Sequence, residues 1–311
     1  MKIAIIGSGA MGGVFGALLA KGGHEVTLVD VWHEGVEAIN TRGLTVEQKT
    51  GERETIRVRA TTNPADAGVV DLALVFVKCY HTEAAVKNAL PIVGPRTIVL
   101  SLQNGWGNAA RISAIVGADK VLVGVTYHSA TLAGAGHVQH MAKGVTHLGG
   151  LGGAADARLT ELATAFTVAG IEAQVSTSIR EQIWSKLALN VCSLPTSSLL
   201  RCYAGDLVQR PGTVALMQSL LREVVAVATA LGIKLDYNER WTAISTLLEK
   251  ATTAKASMLQ DVLAKRRTEI DVINGAIVAE GTRFGIATPH NETLVHLIKA
   301  LEDGFAKPPL A

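Results

Sequence analysis

The first twelve residues, Met1-Lys-Ile-Ala-Ile-Ile-Gly7-Ser8-Gly9-Ala10-Met11-Gly12, constrain the fold more than any other stretch. The β-branched run from Ile3 to Ile6 predicts a buried parallel strand, and three glycines follow at the GxGxxG spacing. Each glycine has its own physical task. Gly7 permits a tight turn off the strand, Gly9 lets the backbone approach a pyrophosphate, and Gly12 allows close helix–strand packing. The following helix, through Leu18, Leu19 and Ala20, aims its free N–H groups and positive dipole end at the phosphates.

A glycine turn alone is weak evidence, because many bind nothing. Here Gly22-Gly23 stops the helix, Glu25 to Val29 supplies a second strand, and Asp30 ends it. Strand, turn, helix, strand and acid thus fall within the ~30 residues of a dinucleotide-binding unit. The competing reading is a secretory leader, since Lys2 precedes an apolar stretch. Gly7, Gly9, Gly12 and Gly13 break that apolar core, and no small-residue cleavage site precedes the strand.

The length of 311 residues suggests two domains of about 150 each. With 48% hydrophobic and 18% charged residues, the chain has the composition of an ordered globular protein. A net charge of +2 gives no reason to expect nucleic acid as a partner. No apolar run reaches the ~18–20 residues needed to cross a bilayer. Cys79, Cys192 and Cys202 have neither CxxC nor zinc spacing, so they read as free thiols in a reducing, cytoplasmic setting with no metal.

The first half alternates strands and helices. A helix-like segment spans Glu34 to Asn40, and a polar alternating stretch from Leu44 to Arg59 reads as a hairpin or edge strands. Asp71–Val77, Thr97–Leu102 and Val121–Val125 are apolar runs typical of central parallel strands, with the helix Thr82–Leu90 between the first two. Short antiparallel strands at the far side of the sheet are expected between Tyr127 and Gly153, then a helix from Ala154 to Ala169 and a strand from Glu172 to Val175. From Ser178 on, the pattern is helical: Ile179–Leu194, Thr213–Leu231, Arg240–Ala254 and Asp261–Phe284. The expected fold is α/β, with a Rossmann-like doubly wound sheet in residues 1–176 and an all-helical domain in 177–311.

Three places carry candidate chemistry. Lys78 and Asn104 sit at the carboxyl ends of two strands, where such sheets bind ligands; the bland alternatives are a solvated lysine and an Asn-Gly turn. Lys186 and Asn190 are four apart on one helix face, and apolar neighbours would desolvate the lysine, lower its pKa and suit it to donate a proton. Most helix lysines merely solvate a surface. Glu269 and Asp271 lie among Ile270, Val272 and Ile273, so one of them faces inward and needs a cation; Lys186 is a natural partner.

Together GSGAMG, VKCYHT, LQNG, WSKLALN and SMLQD–RRTEIDVING make this chain resemble the ketopantoate reductase family, the 2-dehydropantoate 2-reductases, over nearly its whole length. The resemblance implies substrate held between a Rossmann domain and a helical domain, with the nicotinamide delivering hydride to a 2-oxo acid. It implies Lys186 as general acid, Glu269 as its support, and Asn104, Asn190 and Ser257 as hydrogen-bonding groups for substrate or cofactor.

Two departures stand out. Family members often carry asparagine where this chain has Leu194, and a later substrate-side asparagine is replaced by Ala204. An unpaired polar substrate group would weigh about 1–3 kcal/mol against binding, so a more apolar 2-oxo acid fits at least as well. The family usually uses NADP(H), whereas Asp30 is the NAD(H) pattern; His33 or Arg42 could still receive a 2′-phosphate. The leading expectation is reduction of 2-dehydropantoate to pantoate, with an NAD-linked D-2-hydroxyacid dehydrogenase as the alternative. TEIDVING argues against a β-hydroxyacid dehydrogenase. A non-enzymatic dinucleotide sensor would need neither Lys186 nor Glu269. The helical domain offers surfaces for a homodimer.

Overall fold

A computed structural model describes residues 1–153 and 156–306. The chain forms two compact units. One comprises Met1–Gln103 with Asn108–Ile179, the other Asn104–Gly107 with the chain from Arg180 onward.

The first unit contains β1 (Lys2–Ile6), α1 (Ala10–Lys21), β2 (Glu25–Val29), α2 (His33–Arg42), β3 (Leu44–Gln48), β4 (Arg53–Ile56), β5 (Arg59–Thr61) and β6 (Leu72–Val75). It continues with α3 (Thr82–Asn88), β7 (Ile98–Ser101), α4 (Asn108–Val116), β8 (Val121–Thr126), β9 (Ser129–Gly134), β10 (His137–Ala142), β11 (Thr146–Gly149), α5 (Ala157–Val168) and β12 (Ala173–Val175). Eight strands form one sheet in the order β12-β11-β8-β7-β6-β1-β2-β5. All its pairings are parallel except β11 with β8. Covered on both faces, β6, β7 and β8 are buried along their whole length, which is why they read as unbroken apolar runs. The strand order reverses beside β1, so the glycine turn opens at the switch point of the sheet.

The hairpin expected in Leu44–Arg59 is present as the antiparallel pair β3/β4, and Arg59 starts β5, an edge strand of the main sheet. One expectation for this unit needs correction. The strands expected at the sheet's far side divide: β11 pairs there, but β9 and β10 join β3 and β4 in a second sheet of four. The reason lies in α1, whose outer face packs against β3, β9 and β10 while its inner face covers the main sheet. A helix covered on both sides must be apolar all round. Ala154, the expected start of α5, lies outside the described residues; Asp156 caps the helix by accepting from the Arg158 N–H.

The second unit holds α6 (Ile179–Leu200, counted from Arg180), α7 (Pro211–Ala230), α8 (Tyr237–Lys250), α9 (Ser257–Leu263), α10 (Asn274–Phe284) and α11 (Pro289–Asp303). It differs from expectation in three places. α6 runs through Pro195 instead of stopping at Leu194, and the Val191 carbonyl, which Pro195 leaves without its helical donor, accepts from Asn274. The span Asp261–Phe284 is two helices, with Lys265 at φ 51° and a 3-10 turn over Ile270–Val272 between them. The crowded β-branched run Thr268, Ile270, Val272, Ile273 disfavours a continuous helix there. α11 was not anticipated.

α7 is long and apolar enough to cross a membrane by length and composition, with a mean hydropathy of 1.3. Arg222 and Glu223 interrupt its apolar run. Leu220, Leu221, Val224 and Val227 are buried, and α7 packs on α10 and α11, as a core helix does.

Candidate active site

In the first unit the turn after β1 is built by contact. Gly7 has φ +96°, and a Cβ there would lie 2.8 Å from the Val77 nitrogen just past β6. A Cβ on Gly12 would collide with the Gly7 carbonyl. Gly9 differs: an added Cβ would meet nothing within 4 Å, so the turn presents open backbone at that point. α1 begins with no side chain capping it, which leaves its first N–H groups and dipole end for an anion. These features fit a dinucleotide pyrophosphate. Ser8, Ala10 and Met11 fill the turn between the glycines.

Asp30 follows β2 and reaches back to this turn. Its Oδ2 accepts from the Ser8 N–H (2.7 Å) and the Ser8 hydroxyl (3.1 Å), and its Oδ1 accepts from the Trp32 N–H (3.0 Å). Lys78 stands at the head of the 3-10 turn Cys79–His81 that follows β6. Gln103, passed over in the sequence reading, ties the neighbouring strand ends together. Its Nε2 donates to Val77 O (2.7 Å) and to the Thr82 hydroxyl (2.8 Å), and its Oε1 accepts from the Ser101 hydroxyl (3.0 Å).

The second unit brings Lys186 and Glu269 together. Glu269 is buried, at 8% exposure, at the start of the 3-10 turn before α10. Burial drives the pKa of Lys186 down to about 8, while the negative charge of Glu269 pulls the other way. Asp271 has a different environment. Lys299 (2.6 Å) and Arg267 (3.1 Å) hold it in ion pairs, and although burial alone would raise its pKa, these partners keep it low overall. The inward carboxylate is therefore Glu269.

Asn190, one turn past Lys186, is buried, and Leu194 extends the same stripe. Leu194 and Ala204 are each 8% exposed. Ser257 is exposed at the first position of α9. Asn104 belongs to the segment 104–107 of this unit. That segment is fixed by Trp106, whose backbone N–H donates to Val272 O (2.9 Å) and whose ring N–H donates to Glu280 Oε1 (3.1 Å). The Trp106 ring also meets buried Trp184 edge-on at 5.6 Å. Trp184 opens the WSKLALN motif, whereas Trp106, two residues past Asn104, has no role in the sequence reading. The three cysteines are buried, and burial raises the pKa of Cys192 and Cys202. Among the described residues, no group of three or more His, Cys, Asp or Glu could hold a metal ion.

Comparison with known proteins adds to this geometry. The family described as ketopantoate reductase PanE/ApbA matches residues 3–153, and its C-terminal family matches residues 178–302. The chain belongs to the ketopantoate reductase family. The 2-dehydropantoate 2-reductase of Halobacterium salinarum is 34% identical over 307 residues, covering 98% of this chain and all of that protein. That of Archaeoglobus fulgidus is 32% identical over 305 residues, covering 98% and 99%. A solved PanE/ApbA family ketopantoate reductase from Ralstonia eutropha aligns with TM-score 0.91 at 33% identity, over 98% of this chain and all of that one. A D-mandelate dehydrogenase solved with NADH and anilino(oxo)acetate aligns with TM-score 0.93 at 30% identity, over 98% and 99%. The fold is thus that of the nicotinamide-dependent reductases of this family.

Proposed function

We propose that this protein is an NADH-linked reductase of 2-oxo acids whose substrate is 2-dehydropantoate, giving pantoate. The observation that carries the reading is the desolvated Lys186 beside buried Glu269, with a lysine pKa of about 8. Most lysines are locked as cations near neutrality. One poised near 8 can give up a proton and regain it.

Residues 1–176, apart from the segment 104–107 that belongs to the second unit, serve as the dinucleotide-binding domain, and residues 177–311 as the substrate domain. Gly7 to Gly12 and the start of α1 hold the pyrophosphate, with Lys78 as a nearby cation. A bound nicotinamide supplies hydride to the carbonyl carbon of the substrate. Lys186 gives its Nζ proton to the carbonyl oxygen, turning the oxo group into a hydroxyl, and is recharged from solvent. Glu269 keeps Lys186 protonated and oriented. Asn104, Asn190 and Ser257 hydrogen-bond substrate or cofactor.

Asp30 supports NADH over NADPH. Three of the roughly four lone-pair directions of its carboxylate are used by Ser8 and Trp32, which leaves one for a ribose hydroxyl. Its negative charge repels a 2′-phosphate. The buried Leu194 and Ala204 favour a second reading, a D-2-hydroxyacid dehydrogenase acting on a more apolar 2-oxo acid.

Steady-state assays with NADH and NADPH over 2-dehydropantoate and straight-chain, branched and aromatic 2-oxo acids test both. The expected result is turnover of 2-dehydropantoate with kcat/KM at least about tenfold higher for NADH, the effect of roughly 1.4 kcal/mol. Turnover of aromatic acids alone would select the second reading. No turnover of any 2-oxo acid with either cofactor would overturn both.

A further inference from the structure

Pro195 lies inside α6, nine residues past Lys186 and five past Asn190. A proline has no N–H, so the carbonyl four residues earlier, that of Val191, loses its helical donor, and the ring crowds the same carbonyl. An unpaired buried carbonyl is costly, and something must replace the donor. Here the replacement is a side chain from a distant part of the chain. Asn274 Nδ2 donates to Val191 O at 3.3 Å. The same amide nitrogen donates its other hydrogen to Asn291 Oδ1 at 3.0 Å.

Asn291 is fixed in turn. Its backbone N–H (3.0 Å) and its side-chain Nδ2 (2.7 Å) both donate to Glu223 Oε2. Glu223 Oε1 accepts from the His290 backbone N–H (2.9 Å) and lies 2.7 Å from His290 Nδ1. One carboxylate on α7 therefore closes the first turn of α11 and orients Asn291, which orients Asn274. Asn274 and Asn291 are fully buried, and Glu223 is nearly so. A buried polar chain of this kind fixes geometry, since moving one member leaves its neighbours without partners.

One end of this chain of bonds, the Val191–Asn274 contact, joins two segments that carry the reacting groups. Val191 directly follows Asn190 on the helix of Lys186, and Asn274 opens α10 just after the 3-10 turn headed by Glu269. We propose that Asn274 is a positioning residue for the reduction: its amide stands in for the N–H that Pro195 removes from α6, and so holds the Lys186–Asn190 turn in register with the Glu269 segment. This rests on the reading of Lys186 and Glu269 given above. Ile273 and Asn274 cannot shift without freeing Val191 O, and α6 cannot move away without losing the substitute donor at that carbonyl.

The test uses the full-length protein and four variants, Asn274→Leu, Pro195→Ala, the two combined, and Lys186→Met. Leucine keeps the volume of asparagine without its donors, and an alanine at position 195 returns a backbone N–H to Val191 O. Asn274→Leu is expected to lower kcat at least tenfold while NADH affinity, read by fluorescence, changes less than twofold. The double variant is expected to regain most of that loss. A role confined to stability would lower the amount of folded protein and leave kcat per folded molecule unchanged, which would overturn the proposal. So would a double variant no faster than Asn274→Leu. If Asn274→Leu does not fold, Pro195→Ala and the double variant are compared: equal turnover supports the proposal, and a further tenfold loss or failure to fold overturns it. Undiminished turnover in Lys186→Met would overturn the underlying reading of the site, and the positioning role with it, whatever the coupling between residues 195 and 274.

Discussion

Each unit buries an ionisable pair, and the two pairs cost the protein stability at different pH. In the first unit His128 and His140 stack at 5.1 Å, with Nδ1 of one 2.9 Å from Nε2 of the other, and His128 packs edge-on against Phe15 of α1. That contact needs one nitrogen to donate and the other to accept, so the two rings cannot both be charged. Burial, then the neighbouring His140 and Lys143, brings the pKa of His128 down to about 4. Near neutrality this costs nothing, because the unfolded histidines are largely uncharged there too. In the second unit, Lys186 is an ammonium at neutral pH in a place that disfavours charge. Its cost falls within the working range. A fold retains such a cost where chemistry needs it.

The sharpest way to break this contrast is Lys186→Met. The proton donor is lost and the desolvated charge with it. Turnover is expected to fall by about 10²–10⁴-fold, the usual contribution of a general acid. Stability moves the other way. Between about 8 and the ordinary lysine value of 10.5 the unfolded chain holds a proton that the folded chain does not, so stability rises with pH across that window and is lowest below it. Removing both charges together, in Lys186→Met combined with Glu269→Gln so that no buried carboxylate is left unpaired, should therefore stabilise the protein by about 1–2 kcal/mol at pH 7, after allowance for water around the part-exposed lysine side chain. Urea titration checks this; a destabilised variant would contradict it.

The histidine pair should behave in the same sense but in a more acidic window. Its folded pKa lies below the unfolded value of 6.5, so its contribution is complete above 6.5 and is lost as the pH falls toward about 4. Thermal midpoints of the wild type should drop over that interval by the equivalent of about 1–3 kcal/mol. Replacing His128 by Phe should flatten the acid slope. An unchanged slope would show that other groups carry it.

The two units also differ in how much of them could be read from sequence. The glycine turn is legible because its parts are neighbours: Gly7, Gly9, Gly12 and Asp30 fall within one βαβ unit, and local sterics dictate them. The parallel strands are legible for the same reason, as apolar runs. The helical unit depends on partners far apart in the chain. α6 crosses Pro195 only because Asn274 waits for the Val191 carbonyl, which no local pattern around Pro195 announces. The break before Glu269 was hidden by a helical periodicity that the β-branched residues override. Asp30 was read as a ribose partner, yet its bonds to Ser8 also make it a brace for the turn, visible only once β1 and β2 lie side by side. The second sheet over α1 was missed because β10 pairs with β3, some ninety residues earlier, and carries β9 with it.

The smallest effect is also the most direct test that Lys186 protonates the substrate. The rate of reduction should be measured against pH, with the cofactor saturating, for the wild type and for Glu269→Gln. Reduction needs the ammonium form, so the wild-type rate should fall with a midpoint near 8. Glu269 raises the lysine pKa, so removing its charge should move that midpoint to lower pH as well as slow the reaction. A wild-type rate that stays level to about pH 10, or a midpoint unmoved by Glu269→Gln, would contradict the account.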